Sequence, residues 1–543
     1  MSKQTPMRRL LEFVLFCPWP SPGFPMSYGK KKNKHMDEAV SGEHGGGGGG
    51  WAGPKGGTFN INAPGQEVLE RTSCVIRTAT ADDHLSRGTI ELRFTVALPA
   101  RGRTILGREA HRILAGNLPL LIKQSVLWMN QDQQALIQHI RTIEDQEGLR
   151  SQLKPNGLVA FVANGSILPR ASGASSLPMT GNGVVPFQSP SDLELELVTP
   201  NGGSVRGMGI PRGITVLSGG GFHGKSTLLE ALELGVYNHI SGDGRESVVT
   251  DPTAVKIRAE DGRNVSGVDI SPLISGLPGG KDTSHYSSED ASGSTSMAAN
   301  IQEALSLGCT ALLIDEDSSA TNLLVRDQRM QALIQNETIT PLVSKVRALY
   351  AQHGVSTIIV IGGCGDYLSV ADLVLVLSSY TPTNLTARAS QIVQVYPTSL
   401  TEHASYGALP GHRTPTLPAS LLSNRPPAAR GKSFISLPAP HYGPKDPSAS
   451  EPGVDISGLV QLVEAGQANL AAHVIRWLAR RQSEGEPEGN RPLGEVLGEV
   501  GRLLEAEGLD AVQAADEGRL GGDLVFTRAL ELGGVLGRIR GTS

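Results

Sequence analysis

A glycine loop set between a strand and a helix constrains this chain more than any other feature. Gly213-Ile-Thr-Val-Leu217 reads as a short apolar strand, Gly219-Gly-Gly-Phe-His-Gly-Lys-Ser226 follows it, and Thr227 to Leu234 continues as a helix. Gly219, Gly220, Gly221 and Gly224 let successive backbone N–H groups turn inward. The following helix start brings its positive dipole end to the same place, so the segment is a cradle for phosphate. In such a loop Lys225 reaches the β- and γ-phosphates of a nucleoside triphosphate, and the Ser226 hydroxyl faces Mg²⁺. Phe222, His223 and Thr227 complete the cradle, with His223 filling a variable position. A chain with 66 glycines meets this spacing by chance at about a few per cent, and the correct flanking elements argue against chance.

Further along, Ala311-Leu-Leu-Ile-Asp315-Glu316 is an apolar strand that ends in two acids. Asp315 suits a Mg²⁺ ligand acting through water, and Glu316 suits the group that polarises an attacking water. The turn Ser292-Gly293-Ser294-Thr295-Ser296 precedes a helical stretch from Met297 to Leu307 and lies 23 residues before Asp315, counting from Ser292. Ser318-Ser319-Ala320-Thr321-Asn322 follows the acids directly. Thr357 to Ile361 and Ala371 to Leu377 are further apolar strands. Strands and helices alternating in this order predict an α/β nucleotide-binding domain.

The order and spacing of these motifs resemble the ATP-binding-cassette (ABC) class, and the chain is identified as similar to the soluble predicted ATPases of that class. Long runs carry the likeness from about residue 58 to 400. They include Pro64 to Thr72, Leu98 to Arg103, Gly165 to Arg170, Tyr237 to Glu246, Lys256 to Arg263 and Asp290 to Ser296. The resemblance implies an α/β P-loop NTPase of ABC-ATPase type, with an N-terminal α/β domain and a small helical C-terminal domain. It implies ATP with Mg²⁺, and a head-to-tail homodimer in which Ser292, Gly293 and Ser294 of one copy close over the γ-phosphate held by Lys225 of another. RNA is an implied partner, since a branch of the family is associated with mitochondrial RNA processing. Two departures stand out. No glutamine lies between Leu228 and Ile301 to serve as the usual Q-loop ligand, and Asp269 is the nearest substitute. Gly362-Gly-Cys-Gly-Asp366 stands where a switch histidine is expected. Both predict slow turnover, and they keep open a regulatory or scaffold protein with little hydrolysis. Nor does an aromatic residue lie at a comfortable distance before Gly219 to stack on a base.

The whole chain, 543 residues with 48 Lys+Arg against 53 Asp+Glu, has no global field to draw nucleic acid or an anionic membrane, so such contacts must be local. Arg101, Arg103 and Arg108 form one basic loop, and Arg476, Arg480 and Arg481 another cluster. Four scattered cysteines fit an intracellular, reducing compartment rather than a disulfide framework. No apolar run has a membrane-spanning length. The expected organisation is a low-complexity extension at 1–57, the N-terminal domain at 58–170, the ATPase core at 171–400, a Pro-rich linker at 401–453 and a helical domain at 454–543. The extension stands where the family's N-terminal domain normally opens, as a truncated or wrongly assembled gene would leave it. Its short run Leu10 to Cys17 behind Arg8 and Arg9 is a weak targeting signal, leaving cytoplasm or mitochondrion as the compartment. A single half-buried strand is expected over Gly88 to Leu98, a buried strand over Gly157 to Ala163, and helices from Leu459, from Leu493 and through Leu530 and Val535.

Overall fold

The computed structural model describes residues 57–77, 89–437, 453–485, 491–513 and 520–539, apart from 335, 399, 410, 412–413, 418 and 423–426. The extension at 1–56 and its targeting run lie outside them. The chain divides into two compact units, one built from 1–65, 70–141 and 517–525, the other from 66–69, 142–516 and 526–543.

The first unit holds short antiparallel pairs and helices. The strand expected over 88–98 is broken: Thr89–Leu92 pairs with Cys74–Arg77, whereas Thr95–Val96 pairs with Phe59–Asn60. Arg93 marks the break, its N–H bonded to Ser73 O at 2.9 Å and its guanidinium to Gly521 O at 3.0 Å. Beyond the break, Leu98 is exposed.

The second unit contains an antiparallel sheet built around β1 (Leu158–Ala163), whose six residues are all buried. A strand buried continuously has both faces covered. It lies between β3 (Ser204–Pro211) and β5 (Val248–Thr250), and β2 (Glu194–Val198) extends this antiparallel sheet beyond β3. This pairing ties 158–163 to the second unit, so the domain boundary expected at residue 170 falls near Arg141 instead.

A six-stranded sheet carries the site. In spatial order it runs β6 (Ala254–Ile257), β9 (Ala311–Asp315), β10 (Ser356–Val360), β4 (Ile214–Gly219), β11 (Leu373–Ser378) and β12 (Thr381–Asn384). All neighbours are parallel except the β11–β12 hairpin. Helix α1 (Lys225–Leu234) follows β4, and α2 (Gly293–Ser306) follows the hairpin of β7 (Arg263–Val268) and β8 (Tyr286–Ala291). Met297, Ala298, Ala299 and Ile301 of α2 are fully buried.

The Pro-rich stretch at 401–453 is not a free linker among its described residues. Tyr406 is 2% exposed, with its hydroxyl bonded to Gln302 of α2, and Phe434–Ser436 pairs with both Ala428–Arg430 and Gly453–Asp455. Three helices then follow, α3 (Ala465–Ser483), α4 (Leu493–Glu507) and α5 (Ala529–Leu536). The first of them starts at Ala465 rather than near Leu459, because Gln467 reaches back to accept from Glu464 N and closes a capping box there. These helices belong to the same unit as the sheet: Gln461 bonds Lys256 N, Ala254 O and Glu233 O, and Arg528 bonds Pro252 O.

Candidate active site

The parallel register places the motif ends along one edge. Val360 pairs with Leu217 on one side and with Asp315 on the other, so the chain leaves β4, β10 and β9 at the same level. Neighbouring strands lie about 4.8 Å apart. Gly219 and Glu316 therefore emerge two strands apart at one rim, which is where open α/β sheets place their ligands.

The glycine loop has the shape its sequence asks for. Gly219 has φ 140°, and a Cβ there would sit 2.3 Å from Leu377 O, so only glycine fits. Gly224, at φ 92°, is the N-cap of α1. Gly220, Gly221 and Ser226 are exposed, and Lys225 Nζ curls back to donate to Gly219 O at 2.7 Å and Gly220 O at 2.8 Å. An ammonium held by its own loop, an open serine hydroxyl and an uncapped helix start fit a Mg²⁺-bound triphosphate. His223 accepts from Ser379 N at 3.0 Å, so it pins the loop to the β11–β12 turn.

Asp315 is buried, and its Oδ1 accepts from Asp317 N, while Ser319 Oγ donates to Asp315 O at 2.7 Å. Glu316 meets the Gly362–Cys364 turn. Gly362 N and Gly363 N donate to its Oε2 at 2.6 and 3.0 Å, and Cys364 Sγ donates to Oε1 at 3.2 Å. Burial pushes the Glu316 carboxyl up, but the N–H groups of Gly363 and Gly362 and the Cys364 thiol outweigh it and hold the pKa below the ordinary carboxylate value. Burial first, and then the Glu316 hydrogen bond and charge, push the Cys364 thiol up to about 12, so it stays a donor. The segment that lacks a histidine thus grips the acid directly. Beside it a cavity of about 690 Å³ opens to solvent, lined by Glu316, Thr321, Arg326, Cys364 and Tyr396.

The serine-glycine turn stands elsewhere. Helix α2 packs against β7 and β6, the latter the sheet edge three strands from β4, or about 14 Å at ordinary strand spacing. Ser292 is exposed as the N-cap of α2. Residues 292–296 bond to one another, to Glu260 N through Ser296 Oγ, and to Asn322 through Ser294 Oγ at 2.7 Å. The structure thus brings Gly219 to Thr227, Asp315 and Glu316 to one rim and sets Ser292, Gly293 and Ser294 away from the glycine loop, tied through Ser294 to Asn322 on the Glu316 side. Asp269 caps Ser271 N beyond β7 and acts electrostatically on Tyr406. No described hydrogen bond brings it to the glycine loop.

Sequence reasoning missed two features. The part of Gly362 to Cys364 in holding Glu316 was hidden behind the missing histidine. Tyr380, whose Cδ1 lies 3.0 Å from where a Cβ on Gly224 would be, comes from the far end of the sheet's sequence and carries no signal near the loop.

A P-loop fold with a two-acid strand end and a serine-glycine helix start defines a nucleotide-binding ATPase of ABC type. Comparison agrees: the family model for the P-loop domain of ABC ATPases matches residues 132–410, more than half of the chain, and the chain belongs to this family. The model described as ATPase of the ABC class N-terminal matches 50–128, and that of the MRB1590 C-terminal domain matches 448–543. An uncharacterized protein of Methanocaldococcus jannaschii, MJ1628, is 37% identical over 199 residues, covering 35% of this chain and 44% of the relative. The chain therefore spans less than half the length of that relative. No described helix is long and apolar enough to cross a membrane.

Proposed function

We propose that the protein hydrolyses ATP with Mg²⁺ between two copies arranged head to tail. The observation that carries this reading is the separation within one chain. Gly219 to Thr227 leave β4, whereas the Ser292–Gly293 start of α2, with Ser292 exposed, belongs to a helix packed on β6, three strands from β4 and on the far side of the Glu316 strand, which suits it to closing a neighbour's site. Lys225 and the loop N–H groups hold the β- and γ-phosphates, and Ser226 and Asp315 hold the metal. The ion supplies charge neutralisation on the phosphates. Glu316, kept ionised by its three donors, orients the attacking water and accepts its hydrogen bond. Ser292, Gly293 and Ser294 of the second copy donate to the γ-phosphate oxygens as charge builds there.

ATP then joins the copies and hydrolysis parts them. A sizing measurement on Glu316→Gln tests this: it should be dimeric with Mg-ATP and monomeric without it. A protein of unchanged size in both conditions removes the composite site. The regulatory reading, with little turnover, draws on the missing glutamine and histidine. Equal single-turnover rates for wild type and Glu316→Gln would favour it.

RNA is the proposed object of the cycle. The exposed residues Arg101, Arg103 and Arg108, on and after the hairpin of Ala100–Arg101 and Thr104–Ile105, support it as a phosphate-binding surface. The C-terminal cluster gives less support, since Arg481 stacks on Trp477 at 4.6 Å. Removing the three loop arginines should weaken RNA binding and flatten its salt dependence. Binding indifferent to both would move RNA elsewhere or exclude it.

A further inference from the structure

Among the described residues only three other than glycine have positive φ: Phe222 at 61°, Ser379 at 47° and Tyr380 at 70°. All three surround the glycine loop. Ser379 and Tyr380 form the two-residue turn of the β11–β12 hairpin, closed by the Ser378–Thr381 pair. A turn with both central residues left-handed favours Asn-Gly, and a bulky aromatic there is strained. The hairpin alone therefore gives no reason for a tyrosine. Its neighbours do: β11 runs beside β4, Ser379 N bonds His223 inside the loop, and the Tyr380 ring rests against Gly224, the residue before Lys225. Tyr380 is nonetheless 53% exposed, so much of the ring remains open beside the phosphate cradle.

We infer that Tyr380 is the platform on which the nucleotide's base stacks, doing from behind the sheet edge what no aromatic does ahead of Gly219. The inference rests on the nucleotide-binding reading and adds its base specificity. Stacking reads the face of a base and not its hydrogen-bonding edge. The site should therefore favour purines over pyrimidines by ring area and discriminate little between ATP and GTP. Phe222 is fully exposed, and no contact ties its ring to the loop.

The test compares Mg-ATP with inorganic tripolyphosphate, which has no base, by calorimetric titration of the full chain. Two replacements are used, Tyr380→Ala and Tyr380→Asn, the second at home in a left-handed turn. Both should weaken ATP about ten-fold or more and leave tripolyphosphate within about two-fold, with Tyr380→Phe binding ATP like wild type. Equal weakening of both ligands, or ATP affinity that does not move, overturns the platform. Failure of the underlying reading looks different: Lys225→Ala would then bind both ligands as wild type does.

Discussion

The rim at Gly219 and Glu316 and the root of helix α2 are held by opposite means. At the rim most of the grip comes from backbone: loop carbonyls hold Lys225, two N–H groups hold Glu316, and solvent reaches both. At the root of α2 the grip is buried charge. Arg263, 2% exposed at its side chain, takes both oxygens of Glu303 at 2.6 and 2.5 Å. Arg538, from the end of the chain, pairs with Glu260 and Asn300, and Glu260 N in turn bonds Ser296 Oγ. Burial raises the Glu260 carboxyl, but Arg538 and Arg263 overcome it and hold it below the ordinary value. The difference teaches where mutation acts. A group held by backbone in an open rim can change without unfolding the protein, whereas one member of a buried pair cannot leave without stranding the other.

The largest effect expected is therefore on chemistry at the rim. Glu316→Gln should lower kcat by about 10²- to 10⁴-fold and leave the melting curve nearly in place, since the amide keeps the oxygen that accepts from Gly362 and Gly363. A variant that lost activity and stability together would break the contrast. At the root of α2 the order reverses. Arg263→Ala should cost about 3 to 5 kcal/mol in chemical denaturation, because Glu303 is left charged and buried, while the double change Arg263→Met with Glu303→Leu recovers much of that loss. Mg-tripolyphosphate affinity, measured well below the melting point, should match wild type in both. If Arg263→Ala denatures like wild type, the buried pair does not brace the helix.

Legibility in the sequence follows the same divide. The glycine loop, the acids at Asp315 and Glu316 and the buried strand at 158–163 were readable because each is contiguous: an apolar run, a fixed spacing and a turn chemistry occupy a few adjacent residues. What could not be read depends on pairing across distance. Glu316 and Cys364 are 48 positions apart in the chain and meet only through the β9–β10 register. Tyr406 sits in a Pro-rich stretch without periodicity, yet one deeply buried ring bonded to Gln302 suffices to dock that stretch. The strand over 88–98 had the right alternation, and its break at Arg93 came from a partner 428 residues away. Likewise the ends of α2 gave no sign that Arg538 reaches them.

The smaller effects sharpen the contrast at the rim itself. Cys364→Ala removes one of three donors to Glu316, so kcat should fall several-fold, on the order of 1 kcal/mol, with KM for ATP unchanged and Cys364→Ser restoring most of the rate. The pH profile separates positioning from mere packing. With all donors present Glu316 has a lowered pKa, so any stability and activity that depend on its ionised form are present above the ordinary carboxylate value and are lost only as pH falls through the lowered one. Loss of the thiol lets that pKa rise, and the acidic limb of kcat should shift to higher pH in Cys364→Ala. A profile that falls uniformly at every pH would assign Cys364 to packing alone.

Phe222→Gly should give the smallest change, and its sign is informative. Relief of a left-handed phenylalanine stabilises, the added freedom of glycine in the unfolded chain opposes it, and the ring covers nothing. The net effect on the unfolding free energy should be within about 1 kcal/mol. Tripolyphosphate affinity should not move, because the loop N–H groups that hold phosphate are unchanged. A loss of ATP-driven dimerisation in this variant, with nucleotide affinity intact, would instead place the exposed ring against the second copy and give the rim a side-chain contact that its own chain does not supply.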